Sequence, residues 1–554
     1  MKPPRAVLAM LLLLAPCAAV AQAPLPRKHA PRPTVPGITA ADLTTRLYIL
    51  ADDSMQGRRG GEAGNLKGTA YIEREVRRLG LRPAGDSGGY FQTLPLVRRA
   101  LSPRSTLGTD GQTLQLVTDF VPIPMRGPTR SIEGVPVVFG GMYDSVAITA
   151  EQAAGKFVVV VVPTIMALMR SGPPGPRSAL AGAAGVGVVL AQPLPPEILA
   201  EATAAAMVLP PTGPTPPPSP LGLVLSSRAG EALLGAPLAD VRPGAAGGTV
   251  HGQILYDETP APARNVVAIV EGSDPGLRGE YVALGAHTDH VGMGRPVAHD
   301  SIRAWNAVLR PMGAESPMTG PPTPEQATRI RALLDSLRQV GPDRPDSIFN
   351  GADDDGSGTV AMLEMAERFA AATPRPRRSI LFVWHTGEEL GLLGSGWFAD
   401  HPTVPRDSIV AEFNMDMIGR GAAGDVAGGG PGFLQLVGSR RLSTELGDIV
   451  DAVNRAQPRP FTFDYQYDVP GEPHNIYCRS DHAPYARYGI PVAFFFTGVH
   501  RDYHQVTDEA EYIDYPKMTR VTQLVYDIAT HVADLDHRPV LDKPKPDPNA
   551  PCRS

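Results

Sequence analysis

The stretch Ile380-Leu381-Phe382-Val383-Trp384-His385-Thr386-Gly387-Glu388-Glu389 decides the fold class of this chain. Its first half is a short apolar run, and such a run is typical of a strand that is buried on both faces of a sheet. Two glutamates follow at the point where that strand has to end. In an open α/β sheet, ligands collect at the carboxyl ends of the strands, so this segment also predicts a functional site.

Similar apolar runs recur along the chain and alternate with helical patterns. Strands are predicted at 266–270, 281–284, 380–384, 413–417 and 492–496, and helices after Gly358, after Gly391, at 442–453 and at 517–535. This alternation predicts an α/β fold whose mixed, mostly parallel sheet carries helices on both faces.

The composition limits the classes of protein to which this chain can belong. The chain has 554 residues, a hydrophobic fraction of 43% and a formal net charge of −6. The apolar fraction is enough for a packed core, and the lack of a basic excess argues against nucleic acid as a partner. The 58 glycines and 59 prolines raise the question of disorder, but many of them fall in linkers and loops outside the predicted strands.

Residues 1–23 have the pattern of a secretory signal peptide. Lys2 and Arg5 precede an apolar stretch at 6–14, and Ala21-Gln22-Ala23 forms a cleavage site with small residues. Because a membrane-spanning helix needs about 20 apolar residues, we expect no stable membrane span and an exported, periplasmic or extracellular protein. Removal of the signal leaves Cys478 and Cys552, whose pairing stays open at this point.

Composition and hydrophobic pattern divide the rest of the chain into segments. A proline-rich linker at 24–37 and a proline-rich tail at 538–554 flank a main domain, which we predict at 38–130 and 256–537 and which begins with helices at 39–50 and 66–79. Strands at 157–162, 186–190 and 223–225, a helix at 179–184 and a proline-rich loop at 210–220 indicate an inserted α/β domain at 131–255. A second, smaller insert at 295–350 has one clear helix, capped by Thr323.

Three short motifs resemble known functional motifs but lack the neighbouring residues or elements that those motifs require. Gly85-Asp86-Ser87-Gly88-Gly89 resembles a serine-nucleophile motif, yet it follows a helix and precedes a loop, so we interpret it as a glycine-rich turn. Asp353-Asp354-Asp355-Gly356 lacks the acidic first and last positions of a calcium loop. His500-Arg501-Asp502-Tyr503-His504 lacks the glutamate of the helical zinc-protease motif.

The strongest signal is a set of acidic and imidazole side chains placed just beyond strands. Its members are His287, Asp354, the pair Glu388-Glu389, Asp416 and His504. Imidazoles and carboxylates suit Zn²⁺, with Co²⁺ or Mn²⁺ as alternatives, and a shared carboxylate can bridge two such ions. One further carboxylate is then needed off the metals as a general base. Asp289, two residues after His287, is predicted to orient the His287 ring.

At this point the sequence resembles a known family, the secreted co-catalytic di-zinc aminopeptidases, whose relatives include glutamate carboxypeptidase and the glutaminyl cyclases. The matching segments are Gly285-Ala286-His287-Thr288-Asp289, Gly351-Ala352-Asp353-Asp354-Asp355-Gly356-Ser357-Gly358, Glu388-Glu389-Leu390-Gly391-Leu392-Leu393-Gly394-Ser395, Asn414-Met415-Asp416-Met417-Ile418-Gly419, Ser480-Asp481-His482 and Tyr503-His504.

The resemblance implies a role for each metal ligand. His287 and Asp416 would bind one zinc, Glu389 and His504 would bind the other, and Asp354 would bridge the two ions.

It also implies that Glu388 is the general base and that Tyr503 or His482 assists the substrate. The domain at 131–255 resembles a protease-associated domain, and the domain at 256–537 would be the zinc peptidase. Because the insert at 295–350 separates His287 from Asp354, we expect it to shape the substrate cleft.

The function expected from the resemblance is therefore hydrolysis of peptide substrates, with an aminopeptidase favoured. A glutaminyl-peptide cyclase, a carboxypeptidase and a non-catalytic binding ectodomain of the same fold stay open as alternatives. The sequence does not address the residue preference or the oligomeric state.

Overall fold

The computed structural model describes residues 26, 28–123, 129–164, 168, 178–192, 194–210, 220–317, 320–339 and 341–553. The predicted signal peptide at 1–23 and most of the proline-rich loop at 210–220 lie outside the described residues. Among the residues that are described, no helix has both the length and the apolar character that crossing a membrane requires.

The strands are, in chain order, β1 (Arg82–Pro83), β2 (Phe91–Leu94), β3 (Val97–Leu101), β4 (Thr106–Thr109), β5 (Gln112–Leu114), β6 (Phe120–Ile123), β7 (Arg130–Met142), β8 (Ser145–Val146), β9 (Phe157–Val162), β10 (Gly185–Leu190), β11 (Ala206–Val208), β12 (Leu221–Leu225), β13 (Ala246–Ile254), β14 (Tyr256–Pro260), β15 (Ala263–Val270), β16 (Tyr281–His287), β17 (Gly292–Ala298), β18 (Pro345–Phe349), β19 (Ser379–His385), β20 (Ile409–Met415), β21 (Phe433–Val437), β22 (Thr462–Asp464) and β23 (Val492–Phe496).

The helices are α1 (Ala40–Leu50), α2 (Ala63–Arg78), α3 (Ala150–Ala153), α4 (Pro196–Thr203), α5 (Ser227–Leu234), α6 (His299–Leu309), α7 (Pro324–Arg338), α8 (Gly358–Ala371), α9 (Leu393–Asp400), α10 (Thr444–Ala456), α11 (His482–Ala486) and α12 (Tyr515–Asp534).

The main sheet runs in the order β1-β15-β19-β16-β20-β23-β21-β22, and β2 also pairs with β15. Its four central strands, β19, β16, β20 and β23, are parallel to their neighbours within that group, whereas β15 and β21 run antiparallel to the group at its two sides. The mixed sheet predicted from the sequence is confirmed, with its parallel strands at the centre, and so are its five predicted strands. The carboxyl ends of the four parallel strands therefore meet at one edge.

Both faces of this sheet are covered, because successive side chains of a strand point to opposite faces. On one face, Phe382 and Trp384 pack with α1, α8 and α12 in the larger core, and on the other, Leu381 and Val383 pack with Phe398 and Tyr485. All seven residues of β19 are buried, as its continuous apolar run predicts.

A second sheet, in the order β5-β4-β13-β7-β9-β10-β12-β6, lies between two passages of the main domain. The chain enters it after β3 and leaves it into β14, and these two strands pair antiparallel. The predicted strands at 157–162, 186–190 and 223–225 are confirmed as β9, β10 and β12.

Two details of the predicted insert are wrong. Its N-terminal boundary at 131 is too late, since β4 pairs with β13 and β6 pairs with β12 of the second sheet. The helix predicted at 179–184 is a series of turns, because Gly182 and Gly185 interrupt a segment that is too short to hold a helix.

The smaller insert is closed by an antiparallel ribbon of β17 and β18. Helix α7 begins as predicted, with Thr323 and Gln326 forming a reciprocal capping box and Pro324 in the first turn. The sequence pattern did not predict the ribbon or helix α6, which packs against α7. Both have mixed polar and apolar residues without a clear period.

Candidate metal centre

Loops at the carboxyl edge of the main sheet carry the predicted site residues. His287 is the last residue of β16, Asp416 directly follows β20, and Glu388 and Glu389 follow β19. His504 lies in the loop after β23.

Asp354 lies in a single wide, π-helical turn, Ala352–Ser357, that leads into α8, and its own backbone angles (φ −101°, ψ 100°) are not helical. The structure thus brings together all five residues that the sequence nominated as metal ligands, together with Glu388.

The ligand atoms form two groups that share Asp354. His287 Nε2 lies 3.3 Å from Asp354 Oδ1 and 3.5 Å from Asp416 Oδ1. On the other side, His504 Nε2 lies 3.0 Å from Asp354 Oδ2 and 3.0 Å from Glu389 Oε2. Each oxygen of the Asp354 carboxylate therefore faces a different histidine, which is the placement required of a carboxylate that bridges two ions.

The residues fit divalent cations. Asp354 Oδ2, Asp416 Oδ1 and His504 Nε2 are buried and make no well-aligned hydrogen bond within the described protein, although His504 Nε2 and Asp354 Oδ2 lie only 3.0 Å apart. Buried polar atoms are otherwise almost always satisfied. Mixed imidazole and carboxylate donors suit a borderline cation such as zinc. The buried atoms without an aligned hydrogen bond and the type of donor atom thus both favour a divalent cation at this site.

Neighbouring charges shift the pKa values of Asp354 and His504 in this cluster. Burial opposes ionisation of Asp354, but the hydrogen bond from His287 and the charges of His290 and His504 outweigh it and hold its pKa well below the usual range. Burial likewise opposes the charged form of His504, yet Glu389 and Asp354 raise the pKa of this imidazole to about 11. The carboxylates thus create a strongly cation-attracting environment.

His290 joins the site although the sequence reading did not nominate it. Its Nδ1 lies 2.8 Å from Glu389 Oε1, and the side chain is fully buried. The signal was present in the segment His287-Thr288-Asp289-His290, but one more histidine near a predicted ligand is not specific without a partner in space.

Asp289 acts on its neighbours in a different way from the predicted one. The nitrogen Nδ1 of His287 contacts the main-chain oxygen of Asp289 at 3.1 Å, whereas the Asp289 carboxylate is 3.9 Å from it. That carboxylate instead accepts the main-chain N–H groups of Gly387 at 2.7 Å and of Glu388 at 3.2 Å. The main chain of Asp289 thus orients the ring, and its side chain holds the loop of Glu388. Burial raises the pKa of Asp289 to about 6.

Glu388 stays outside both ligand groups but close to them. Its Oε2 is 4.0 Å from His287 Nε2, and its side chain is 12% exposed. Burial raises the pKa of Glu388 well above its usual range, since the opposing charge of His287 does not compensate for it. A carboxyl group with a raised pKa beside a metal-ligand cluster has the properties of a general base.

The acidic neighbours of Asp354 serve the scaffold. Asp355 accepts the main-chain N–H groups of His287 at 3.1 Å and of Gly358 at 2.8 Å. Asp353 accepts the main-chain N–H of Gly419 at 2.6 Å. These carboxylates connect the loops that carry the ligands.

A buried arginine stabilises the same loops from the N-terminal segment. Arg58 is fully buried and donates Nε to the carbonyl oxygen of Thr288 at 3.0 Å. Its guanidinium also donates to the carbonyl oxygens of Asn350 at 2.6 Å and of Gly351 at 2.8 Å. Burial lowers the pKa of Arg58, although nearby carboxylates partly offset this. One side chain thus connects the loops of His287 and Asp354.

A pocket opens above the ligands. It is lined by Asp354, Glu388, Glu389, Asp416, Met417, Ile476, Arg479, Ser480, Phe494, Phe496, Val499, Tyr503 and His504. Its floor is acidic, and Phe494, Phe496 and Ile476 contribute to an apolar wall. Ser480, another residue the sequence reading left without a role, donates its hydroxyl to Asp416 Oδ2 at 2.8 Å.

The two residues expected to assist the substrate have different positions. Tyr503 lines the pocket and its ring stacks on His504 with centroids 4.0 Å apart. His482 is fully buried in the core below, where its ring stacks on Phe494 at 4.8 Å. Burial lowers the pKa of His482 to about 3, so it is neutral and structural.

A third cluster of similar composition does not fit a cation. His299, Asp346 and Glu509 bring possible ligand atoms within 4.8 Å of one another. However, Arg344 lies 2.7 Å from Glu509 Oε1 and 3.7 Å from Asp346 Oδ2. Its guanidinium already supplies the positive charge that these carboxylates need.

Residues 317–529 match the family model described as Peptidase family M28. The match covers less than half of the chain. The M28 match includes Asp354, Glu388, Glu389, Asp416 and His504. His287, Asp289 and His290 lie before the match, and the structure brings them close to the residues within it that belong to the two ligand groups.

Curated relatives match the chain over part of its length. Leupeptin-inactivating enzyme 1 of Streptomyces exfoliatus is 31% identical over 173 residues, which are 30% of this chain and 33% of that protein. Leucine aminopeptidase 1 of Paracoccidioides brasiliensis strain Pb18 is 31% identical over 192 residues, which are 32% of this chain and 46% of that protein. The chain thus spans less than half of the length of each of these two relatives.

Among solved structures, the chain is similar to an aminopeptidase from Aneurinibacillus sp. strain AM-1. The two are 15% identical, the alignment covers 92% of this chain and 97% of that one, and the TM-score is 0.47.

Proposed function

We propose that this protein is an exported aminopeptidase that uses two divalent cations, zinc foremost, to remove N-terminal residues from peptides. The observation that carries the proposal is Asp354, whose two carboxylate oxygens face two separate ligand groups. Glu388 lies beside these groups without belonging to either. The M28 match and the relatives named as leucine aminopeptidases support the same activity.

His287, Asp416, Glu389, His504 and the shared Asp354 would hold the ions. When bound, the ions supply Lewis acidity toward the scissile carbonyl and lower the pKa of a water molecule.

The chemical work of the chain itself falls mainly to Glu388. Its carboxylate accepts the proton of the attacking water and then delivers that proton to the nitrogen of the leaving amine. The hydrogen bonds from Gly387 and Glu388 to Asp289 keep the loop of this base in place. His290 holds Glu389 through the 2.8 Å contact of its Nδ1.

The charge of the pocket favours a free amino terminus over a free carboxylate. Glu388 belongs to neither ligand group, so its carboxylate in the pocket stays free to attract an ammonium group. A carboxypeptidase would need a cation free to bind the substrate carboxylate. The arginine in this pocket, Arg479, is already paired with Glu315.

The apolar wall of the pocket supports a preference for apolar N-terminal residues. Phe494, Phe496 and Ile476 line it beside the ligands. A leucine side chain placed there would lose contact with water, and burial of such a side chain contributes about 1.5–3 kcal/mol.

Export and the identity of the large insert are part of the proposal. Cys478 and Cys552 form a disulfide, and disulfides persist mainly in oxidising compartments outside the cytosol. This supports the function assigned to residues 1–23 as a signal. We also assign the second sheet to a protease-associated domain, supported by its position between two passages of the main domain.

The proposal is tested with matched substrates and one variant. We expect the metal-loaded protein to release nitroaniline from leucyl-nitroanilide, to cleave leucyl peptides from the amino end, and to ignore N-acetylated peptides. Glu388→Gln should lower kcat by at least about 10³-fold while metal content, measured by elemental analysis, stays unchanged. Cleavage of N-acetylated peptides from the carboxyl end, or full activity of Glu388→Gln, would contradict the assignment.

A further inference from the structure

The small insert at 295–350 reaches the pocket through a short 3₁₀ turn, Gly313–Glu315. Glu315, at the end of this turn, forms a bidentate ion pair with Arg479. The contacts are 2.9 Å from Nη1 to Oε1 and 3.2 Å from Nη2 to Oε2. Arg479 is one of the residues that line the pocket. The insert between His287 and Asp354 thus supplies the partner of a charged side chain in the wall of the pocket.

The position of Glu315 is set by contacts between the turn and the loop that carries His504. The main-chain N–H of Ala314 donates to the carbonyl oxygen of Tyr503 at 3.0 Å. Asn306, in the preceding helix α6, donates to the carbonyl oxygen of Arg501 at 3.0 Å.

Gly313 lets the two segments approach. It has φ +52°, and a Cβ at this position would lie 2.4 Å from the oxygen of Tyr503. Only glycine avoids that clash. The pair of Glu315 and Arg479 is therefore built into the fold and differs from an incidental pair of long surface side chains.

The geometry of the guanidinium matters for substrate choice. Arginine binds a carboxylate best through two parallel N–H groups. In this pocket Glu315 takes both terminal nitrogens, and the Nη2 atom also lies 3.4 Å from the hydroxyl of Tyr503. A substrate carboxylate could bind both terminal nitrogens of Arg479 only by displacing Glu315.

We infer that Glu315 is a specificity-determining residue, which blocks Arg479 and thereby makes the pocket reject peptides with an acidic first residue in favour of neutral, apolar ones. This inference rests on the proposed aminopeptidase function. With both terminal nitrogens of Arg479 taken by Glu315, an acidic substrate side chain meets the carboxylate of Glu388 in the pocket without the guanidinium as a compensating partner.

The test compares glutamyl- and leucyl-nitroanilide on the metal-loaded full chain. Glu315→Gln removes the charge and keeps the shape, so Arg479 becomes available to the substrate carboxylate. We expect the ratio of kcat/KM for the glutamyl over the leucyl substrate to rise at least tenfold. The double variant Glu315→Gln with Arg479→Gln should lose this gain. Glu325→Gln, an exposed acid of the same insert on α7, is the matched control and should keep the wild-type ratio.

The outcomes separate the inference from the proposed function. A wild-type protein that cleaves neither substrate contradicts the proposed function. A wild type that cleaves leucyl-nitroanilide, combined with an unchanged ratio in folded Glu315→Gln, overturns the inference alone.

A second variant keeps the inference testable if Glu315→Gln does not fold. Arg479→Gln removes the arginine partner of Glu315 and leaves its charge opposed only by His474, whose Nδ1 lies 3.8 Å from Oε1, so the glutamyl-to-leucyl ratio should fall at least threefold below wild type. A ratio that stays constant in this variant would also overturn the inference.

Discussion

The carboxylate of Asp289 accepts the main-chain N–H of Gly387 at 2.7 Å, and this contact connects the loop after β16 to the loop after β19. The first loop carries His287, and the second carries Glu388 and Glu389. A proposed metal ligand and the proposed base are thus held in register by one buried carboxylate that belongs to neither ligand group. Removing this acceptor tests whether the register matters for activity.

We expect Asp289→Asn to lower kcat about 10- to 100-fold and to reduce the free energy of unfolding by about 1–3 kcal/mol, because a buried N–H group loses part of its acceptor. Steady-state kinetics and denaturant unfolding measure the two effects. Asp86→Asn is the control, since Asp86 also accepts a main-chain N–H, from Thr93 at 2.8 Å, but on the exposed surface. Equal effects of both substitutions would contradict the role of Asp289.

The second prediction concerns Arg58, which donates to main-chain carbonyls of two ligand loops. Lysine keeps the charge but cannot reproduce the planar set of donors, so carbonyl oxygens lose partners in a buried site. Arg58→Lys should lower the free energy of unfolding by about 2–4 kcal/mol and weaken metal retention during dialysis against a chelator. Arg77→Lys, whose side chain is 67% exposed, is the control and should change neither. Wild-type metal retention in Arg58→Lys would refute the connection between Arg58 and the site.

The third prediction follows from His482. Burial lowers its pKa to about 3, while the unfolded chain titrates near 6.5. Between these values the unfolded state binds the additional proton, so the stabilising contribution is complete above pH 6.5 and is lost as the pH falls. From pH 6.5 to pH 5 the loss is about 2 kcal/mol for this single group, at about 1.4 kcal/mol per pH unit.

Denaturant unfolding at several pH values measures this effect as the difference between wild type and His482→Gln. The variant should be less stable than wild type at pH 7, and the gap should narrow by about 2 kcal/mol at pH 5. Glutamine removes the titration while other acid-sensitive groups stay the same in both proteins. If the free energy of unfolding of wild type and of His482→Gln changed in parallel with pH, His482 would not titrate in this way.

The fourth prediction concerns the disulfide between Cys478 and Cys552, which are 74 residues apart in the sequence. A loop of that length implies a stabilisation of up to about 4 kcal/mol from the restricted unfolded chain. We expect Cys552→Ser, or a reducing agent on the wild type, to lower the unfolding midpoint. Pro551→Ala leaves the bond intact and is the control. Because Cys478 directly precedes Arg479, we also expect loss of the disulfide to raise KM for leucyl-nitroanilide a few-fold. An unchanged unfolding midpoint and an unchanged KM would contradict these two expectations.

Much of the main fold was predictable because its signals are local. Each central strand is a continuous apolar run, and each predicted ligand follows such a run or lies in a glycine-rich turn. The same reasoning failed where local signals are weak. Strands β4 to β6 and helix α6 have mixed residues, and their place is decided by pairing and packing with distant segments.

The sequence by itself determined the α/β class, five strands of the main sheet and the five candidate ligand residues that the fold brings together, because burial patterns and residue chemistry are properties of short segments. Only the tertiary structure decided that Arg58 contacts Gly351, 293 positions away, that His290 holds Glu389, and that Glu315 occupies Arg479. The physical reason is that these contacts depend on main-chain carbonyl groups or on one charged side chain meeting another in space. Every residue has a carbonyl and many carry charge, so neither leaves a recognisable pattern until the chain is folded.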